Sequence, residues 1–331
     1  MRLNLWVGIL ALGLAFGLPL AFGAARAQDA ASPAAVESIK PVKVQVGAYV
    51  LRVNNVSQKD GTFDVDLWVW FRWQDKDAKP YESFEIANGA IKNKSNAVVS
   101  DDNGFSYTSI RVQATIFHDY DVRHFPLDNH KLTIEIEDEN LDAENLVYVA
   151  DEGIALDPSV DVAGWDVKLG QAEIEPHLYP TNYGLRSSGQ DSSTYSRFVL
   201  PIYLERTSML GMFKQFWISA LSVLLGLLAF RVKATDLDAR FGLGVGSVFA
   251  ASANAFVITD NLPKTTAITL AEQINFIAIA TIFLSVFLSI ASLRRCYAGD
   301  EEASERLDRT ALFVIGVTYI AINLAIVVWQ A

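Results

Sequence analysis

Cysteine is nearly absent from this sequence. Cys296 stands alone among 331 residues, so no disulfide can form within the chain, and any exported domain must be held by its core. A basic surplus is missing too: 27 Lys and Arg face 38 Asp and Glu, a formal net charge of −11, which excludes a polybasic nucleic-acid surface. No Gly-x-Ser-x-Gly, His-Glu-x-x-His or phosphate-loop pattern occurs. His118, His124 and His130 fall six apart rather than at the closer spacing of metal sites. They are read as surface or loop residues, the alternative being that one titrates as a pH sensor. No catalysis, metal or cofactor is expected. Before residue 209 no helical period longer than a turn or two stands out.

What is present begins with an export signal. Arg2, an apolar run over 3–22 and the small-x-small triplet Ala25-Arg26-Ala27 read as a signal peptide over 1–27, the alternative being an uncleaved anchor. Residues 28–205 then hold 29 acidic and 15 basic residues, whereas 206–331 hold 9 and 10. Such an acidic domain would raise the local cation concentration at a pore mouth, although solubility alone would also account for it.

The exported part alternates. Phe63, Val65, Leu67, Val69, Phe71 and Trp73 interleave with Asp64, Asp66, Trp68, Trp70 and Arg72, the pattern of a strand with one face in a core. Similar runs near 42–46, 132–136 and 197–205, separated by turn clusters, predict a β-sandwich. Trp68 and Trp70 share the polar face of their strand, which calls for a subunit interface, a ligand pocket or a loop of the same chain to cover them.

Four apolar spans follow, at about 209–230, 241–259, 273–293 and 310–331, each near the roughly 20 residues that cross a bilayer. Arg231, Lys233 and Arg240 fall between the first two, and Arg294, Arg295, Arg306 and Arg309 between the last two. The positive-inside bias therefore puts the β domain and the C-terminus outside. Lys214 within the first span is tolerable if it snorkels to the outer interface.

The second span is built mostly from small residues and has a carboxylate near each end. At 3.6 residues per turn, Asp238, Gly242, Phe249, Ala253, Phe256 and Asp260 share one stripe. Repeated around an axis, that stripe would make two anionic rings and two apolar constrictions, as in a gated cation pore. Tight helix packing through small residues is the alternative.

The residues from 117 to 137, FHDYDVRHFPLDNHKLTIEIE, contain Phe125-Pro126-Leu127-Asp128, which resembles the Phe-Pro-x-Asp loop of pentameric ligand-gated ion channels. Val46-Gly47-Ala48-Tyr49 and the strand ending at Trp73 resemble the first two strands of that family. Ala163-Gly164-Trp165-Asp166-Val167, Arg206 and Asn261-Leu262-Pro263 are similar to bacterial members. The resemblance covers roughly 40–331. His118 and Leu132 stand where eukaryotic members carry the loop disulfide, so the disulfide-free bacterial branch is the match. The proline common in the first span is replaced by Gln215-Phe216-Trp217-Ile218, which leaves the bend of that helix open.

The resemblance implies an all-β, immunoglobulin-like extracellular sandwich at 40–206, followed by an all-α four-helix transmembrane domain at 207–331. The assembly would be a homopentamer in the bacterial inner membrane, surrounded by lipid, with its N-terminal domain and C-terminus in the periplasm. It further implies a ligand-gated channel, here for monovalent cations, opened by a small ligand or by protons. The agonist pocket would lie between neighbouring sandwiches. The 138–141 loop with Asp138 and the aromatic Tyr179 and Tyr183 would form one side; Trp68, Trp70 and Arg111 would form the other. An aromatic pocket beside carboxylates would suit a small amine. Phe125, Pro126, Asp128, Arg206 and Pro263 are the expected coupling residues. The alternative function is a non-conducting periplasmic ligand sensor on a four-helix anchor; a purely structural assembly subunit is the third.

Overall fold

A computed structural model describes residues 40–184, 191–207 and 209–330, without the side chains of 209–212, 214 and 215. The expected signal segment and the Lys214 side chain lie outside the described residues. Ile39–Ala331 is one compact unit.

Two sheets form the first half. The larger runs β4 (Gly89–Lys94), β6 (Phe105–Phe117), β2 (Thr62–Trp73), β1 (Val42–Ser57) and β8 (Leu146–Ala150); β5 (Ser100–Asp102) pairs with β6 and β9 (Ala155–Leu156) with β1. The smaller runs β10 (Trp165–Leu169), β12 (Ser193–Arg206), β7 (His130–Asp138) and β3 (Phe84–Ile86), with β11 (Glu173–Tyr179) on β12. A four-residue helix, α1 (Pro80–Ser83), precedes β3. The alternation dictates the packing: Phe63, Val65, Leu67, Val69, Phe71 and Trp73 of β2 are all buried. They meet Leu132, Ile134 and Ile136 of β7 and Phe198, Leu200 and Ile202 of β12 in one core. Each large side chain removed from water there is worth about 1.5–3 kcal/mol.

The second half is helical: α2 (Met209–Leu228), α3 (Leu237–Asp260), α4 (Leu270–Tyr297) and α5 (Glu301–Gln330). By length and composition α3, α4 and α5 can each cross a membrane. α3 and α4 each extend a few residues beyond their apolar runs, because capping rather than hydropathy fixes a helix end. Asp236 accepts from the Ala239 amide to start α3, and Thr269 and Glu272 form a capping box that starts α4.

Sheets and helices share one core. Ile258, Leu262 and Ala271 belong to the apolar cluster that fills the sandwich, and Phe216 packs against it. The β6–β7 loop sits on the start of α4: the Leu270 amide donates to the Arg123 carbonyl at 2.9 Å and the Ala271 amide to the Phe125 carbonyl at 3.1 Å. Two orphan donors of the first helical turn are satisfied there by the loop, so loop and helix move together.

Candidate ion pathway and coupling site

α3 has two faces of different chemistry. Arg240, Gly244, Ser247, Ala251, Asn254 and Ile258, at alternating spacings of four and three, are buried against the other helices. On the other side Asp238, Gly242, Phe249, Ala253, Phe256 and Asp260 are all exposed, Phe249 at 72% and Phe256 at 78%. Gly246 joins this bare stripe, and a Cβ on Gly242 or Gly246 would meet nothing within 4 Å. Large aromatics turned away from their own chain need a partner surface or a cavity.

The buried face is polar where it matters for packing. Ser219 of α2 donates to the Asn275 side-chain oxygen of α4 at 2.9 Å, and Asn254 of α3 donates to Ser219 at 2.8 Å. One hydrogen-bonded node thus ties three helices, the usual way a polar side chain is tolerated inside a membrane bundle. At the N-terminal end of α3, Arg240 donates to the Val232 carbonyl and pairs with Asp308 of α5, both partners buried. The guanidinium is therefore spent on the bundle and turned away from the Asp238 stripe.

At the junction of sheets and helices, Arg206 ends β12 and Asp128 lies in the β6–β7 loop. Arg206 Nη2 is 3.1 Å and Nε 3.3 Å from Asp128 Oδ1. Its guanidinium carbon lies 3.8 Å from the Trp165 ring centre and 5.7 Å from that of Phe125. Asp128 Oδ2 lies 2.6 Å from His130 Nε2 and accepts from the Gln58 amide, whose nitrogen is also 2.7 Å from His130 Nε2. Burial alone would raise the Asp128 carboxyl, but the His130 hydrogen bond, the Arg206 and His130 charges and Gln58 hold it below its ordinary value. Pro126 is buried in the same loop, and Pro263 is half-buried just beyond α3. Lys59, in the β1–β2 turn beside Gln58, reaches the end of α3 and pairs with Asp260 at 2.9 Å.

The residues expected around a ligand divide between the two sheets. Tyr179, Tyr183 and Asp138 stand on or beside the smaller one; Trp68, Trp70 and Arg111 stand on the larger. Tyr179 donates to Glu137 at 2.9 Å and accepts from Arg197 at 3.0 Å, and burial and the Glu137 carboxylate push its hydroxyl up to about 12. Tyr183 is exposed, 6.0 Å from the Tyr179 ring. Two of these side chains are held by their own chain. Asp138 is buried, and its oxygens accept from Ser83 at 2.6 Å and from the Asn140 and Leu141 amides at 2.9 and 2.8 Å, so it shapes its loop. Trp70 lies on Gly47, where a Cβ would come within 2.2 Å of the indole, and donates to Asp151 at 2.7 Å; it is covered by its own chain. Arg111 makes a two-pronged pair with Asp66, at 2.9 and 2.7 Å, while Trp68 remains on the open face.

No protein-family model matches the chain. A protein of Gloeobacter violaceus named a proton-gated ion channel is 24% identical over 310 residues, covering 85% of this chain and 80% of the relative. Over most of its length the chain is similar to a bacterial ion channel, as its sequence motifs lead one to expect. Several chemically busy residues escape a reading of the sequence. His130 is one, and it corrects the expectation of a surface residue. It is buried because it shares the inward phase of Leu132, Ile134 and Ile136, a signal that was present in the alternation. Arg197 pairs with Glu135 at 2.6 Å and Glu137 at 2.5 Å across 60 and more residues, which no local pattern announces. Lys59 and Gln58 likewise acquire meaning only when the turn that carries them meets α3 and the β6–β7 loop.

Proposed function

We propose that this chain is one subunit of a homopentameric, cation-selective ligand-gated ion channel of the bacterial inner membrane, with the sandwich and C-terminus in the periplasm. The observation that carries the reading is the bare face of α3. A helix apolar enough to span a bilayer turns acid, glycine, phenylalanine, alanine, phenylalanine and acid away from its own bundle. Five such faces around an axis would enclose a path with carboxylates at both mouths and dewetting aromatic rings between them. The similarity to a channel over most of both chains supports it.

Gating would run from the sandwich through Asp128 and Arg206 to the start of α2, and through Lys59 to the end of α3. A ligand pocket between two copies would bring Tyr179 and Tyr183 of one subunit against Trp68 and Arg111 of the next, since one chain carries these sets on different sheets. The net acidity of that region suits a cationic ligand, and the proton named for the relative is the first stimulus to try.

The test is ion flux through the purified full chain in lipid vesicles, after acid steps and then with small amines and acids. Flux of monovalent cations but not anions is expected. Silence under every stimulus, with correctly inserted protein, would favour the non-conducting sensor.

A further inference from the structure

The Asp128 carboxylate is shared between two partners that differ in one respect. Oδ1 faces the Arg206 guanidinium; Oδ2 faces the His130 imidazole, with Gln58 converging on the same oxygen. Around them stand Tyr120, 4.9 Å from the His130 ring, Trp165 at 5.3 Å and His118 at 6.4 Å. With His130 neutral, one carboxylate balances one guanidinium and the box carries no net charge. We infer that His130 is a proton-binding site built into this junction, and that protonating it drives Arg206 off Asp128, so that the proton acts as a ligand on gating. This rests on the channel reading above.

Exposure decides which partner yields. The side chains of His130 and Asp128 are 2% and 1% exposed, whereas that of Arg206 is 27% exposed. A second cation on Asp128 leaves an uncompensated positive charge inside the protein, and such a charge is expensive there. Arg206 alone has a route to water, and it already lies against the same Trp165 ring as His130. Because Arg206 is followed by Thr207 and then by α2, its withdrawal acts at the root of the first helix.

The surrounding groups stay fixed while His130 changes. Burial and the His130 charge hold His118 below its ordinary value against a raising Asp119. Burial raises the Tyr120 hydroxyl, and Asp128 is held below the ordinary carboxylate value. Lys59, from the β1–β2 turn, is engaged with Asp260. That leaves the His130 imidazole, seated on the carboxylate that also holds Arg206, as the proton acceptor of the box. By linkage, a proton binds more tightly where Arg206 has left, so acid populates that state.

The experiment uses the full chain in lipid vesicles with two readouts. An imidazolium against an indole quenches its fluorescence, so a pH titration of tryptophan emission reports His130 through Trp165, with Trp165→Phe as the assignment control. Cation flux after an acid step from about pH 8 to about pH 5 reports gating. In the parent both signals are expected to titrate together. His130→Gln loses both, and His118→Gln keeps both. Arg206→Ala moves the fluorescence midpoint to higher pH by about one unit, a tenfold gain in proton affinity, because the competing cation is gone. Survival of either the fluorescence titration or the acid-evoked flux in His130→Gln overturns the inference. If that variant does not fold, an unmoved midpoint in Arg206→Ala overturns it alone. A chain that conducts at no pH, yet shows the His130-dependent quenching and its shift in Arg206→Ala, sinks the channel reading and leaves the proton site standing.

Discussion

Asp128 shows how much one buried carboxylate can organise. Its two oxygens hold a guanidinium, an imidazole and an amide that come from β12, β7 and the β1–β2 turn. Removing one member strands the others. Asp128→Ala leaves Arg206 and His130 facing each other, and Arg206→Ala leaves a carboxylate almost wholly out of water. Each is expected to cost about 3 kcal/mol of stability, the range for breaking a buried pair, and to abolish the acid dependence of flux. The double variant should not be additively worse, with a coupling of about 1–3 kcal/mol in a double-mutant cycle on denaturant unfolding. Additivity would mean that the two residues act apart. Asp64 on β2 makes a useful contrast. Burial would raise its carboxyl, but Lys92, Thr115 and Asn55 bring it down to about 2. A depressed carboxyl stabilises the fold above its unfolded value near 4 and loses that contribution as pH falls through about 2. Thermal melts of the parent should therefore steepen in their pH dependence between about pH 4 and pH 2, and Asp64→Asn should flatten that region. This titration lies well below the end of the acid step from about pH 8 to about pH 5, so a flux response in that step is separable from the loss of this pair.

At the scale of elements, α3 combines two sequence patterns in one helix. Its buried face repeats at three and four residues because helix packing demands it, and small residues at Gly244 and Ala251 let neighbours approach; a Cβ on Gly244 would meet Val286 at 2.9 Å. Its bare face carries Phe249 and Phe256 two turns apart. Phe249→Ser is expected to wet an apolar ring and produce leak flux or activation by a weaker stimulus. Surface-expressed protein with unchanged flux would move the gate elsewhere. The bare stripe was legible in the sequence because a helix imposes its period on every residue, and the β2 strand was legible for the same reason with period 2. His130 obeyed the period as well, yet its charge chemistry suggested a surface place, and the period won. Asp138 was not legible. Its partners Ser83, Asn140 and Leu141 converge only once β3 and β7 are paired, so a loop-shaping carboxylate looked like a ligand-facing one. The Arg197 network with Glu135, Glu137 and Tyr179 is hidden for the same reason: its members come from three strands of one sheet.

At the scale of the whole molecule, charge is distributed along the proposed path rather than over the surface in general. The sandwich holds most of the acidic excess, and α3 carries Asp238 in its first turn and Asp260 at its last residue, the proposed inner and outer mouths. The two carboxylates are not equivalent. Lys59 pairs with Asp260, so in a pentamer the outer ring would be five ion pairs whose net charge depends on whether the β1–β2 turn is docked. Among the described residues Asp238 has no such partner, and Arg240, two residues further on, is held on the Val232 carbonyl and Asp308. Selectivity should therefore reside at the inner mouth and conductance should be adjusted at the outer one. Asp238→Ala is expected to move the reversal potential in asymmetric salt towards the anion value, since unscreened carboxylates stabilise a permeating cation in a narrow, low-dielectric constriction. Asp260→Ala should lower conductance modestly and leave the reversal potential in place, and Lys59→Gln should raise cation conductance at low ionic strength, where surface charge is least screened. A reversal potential unchanged in Asp238→Ala would remove that residue from the filter. If it shifted in Asp260→Ala instead, the outer ring would be acting as an unpaired set of charges, with the Lys59 contact opened in the conducting state.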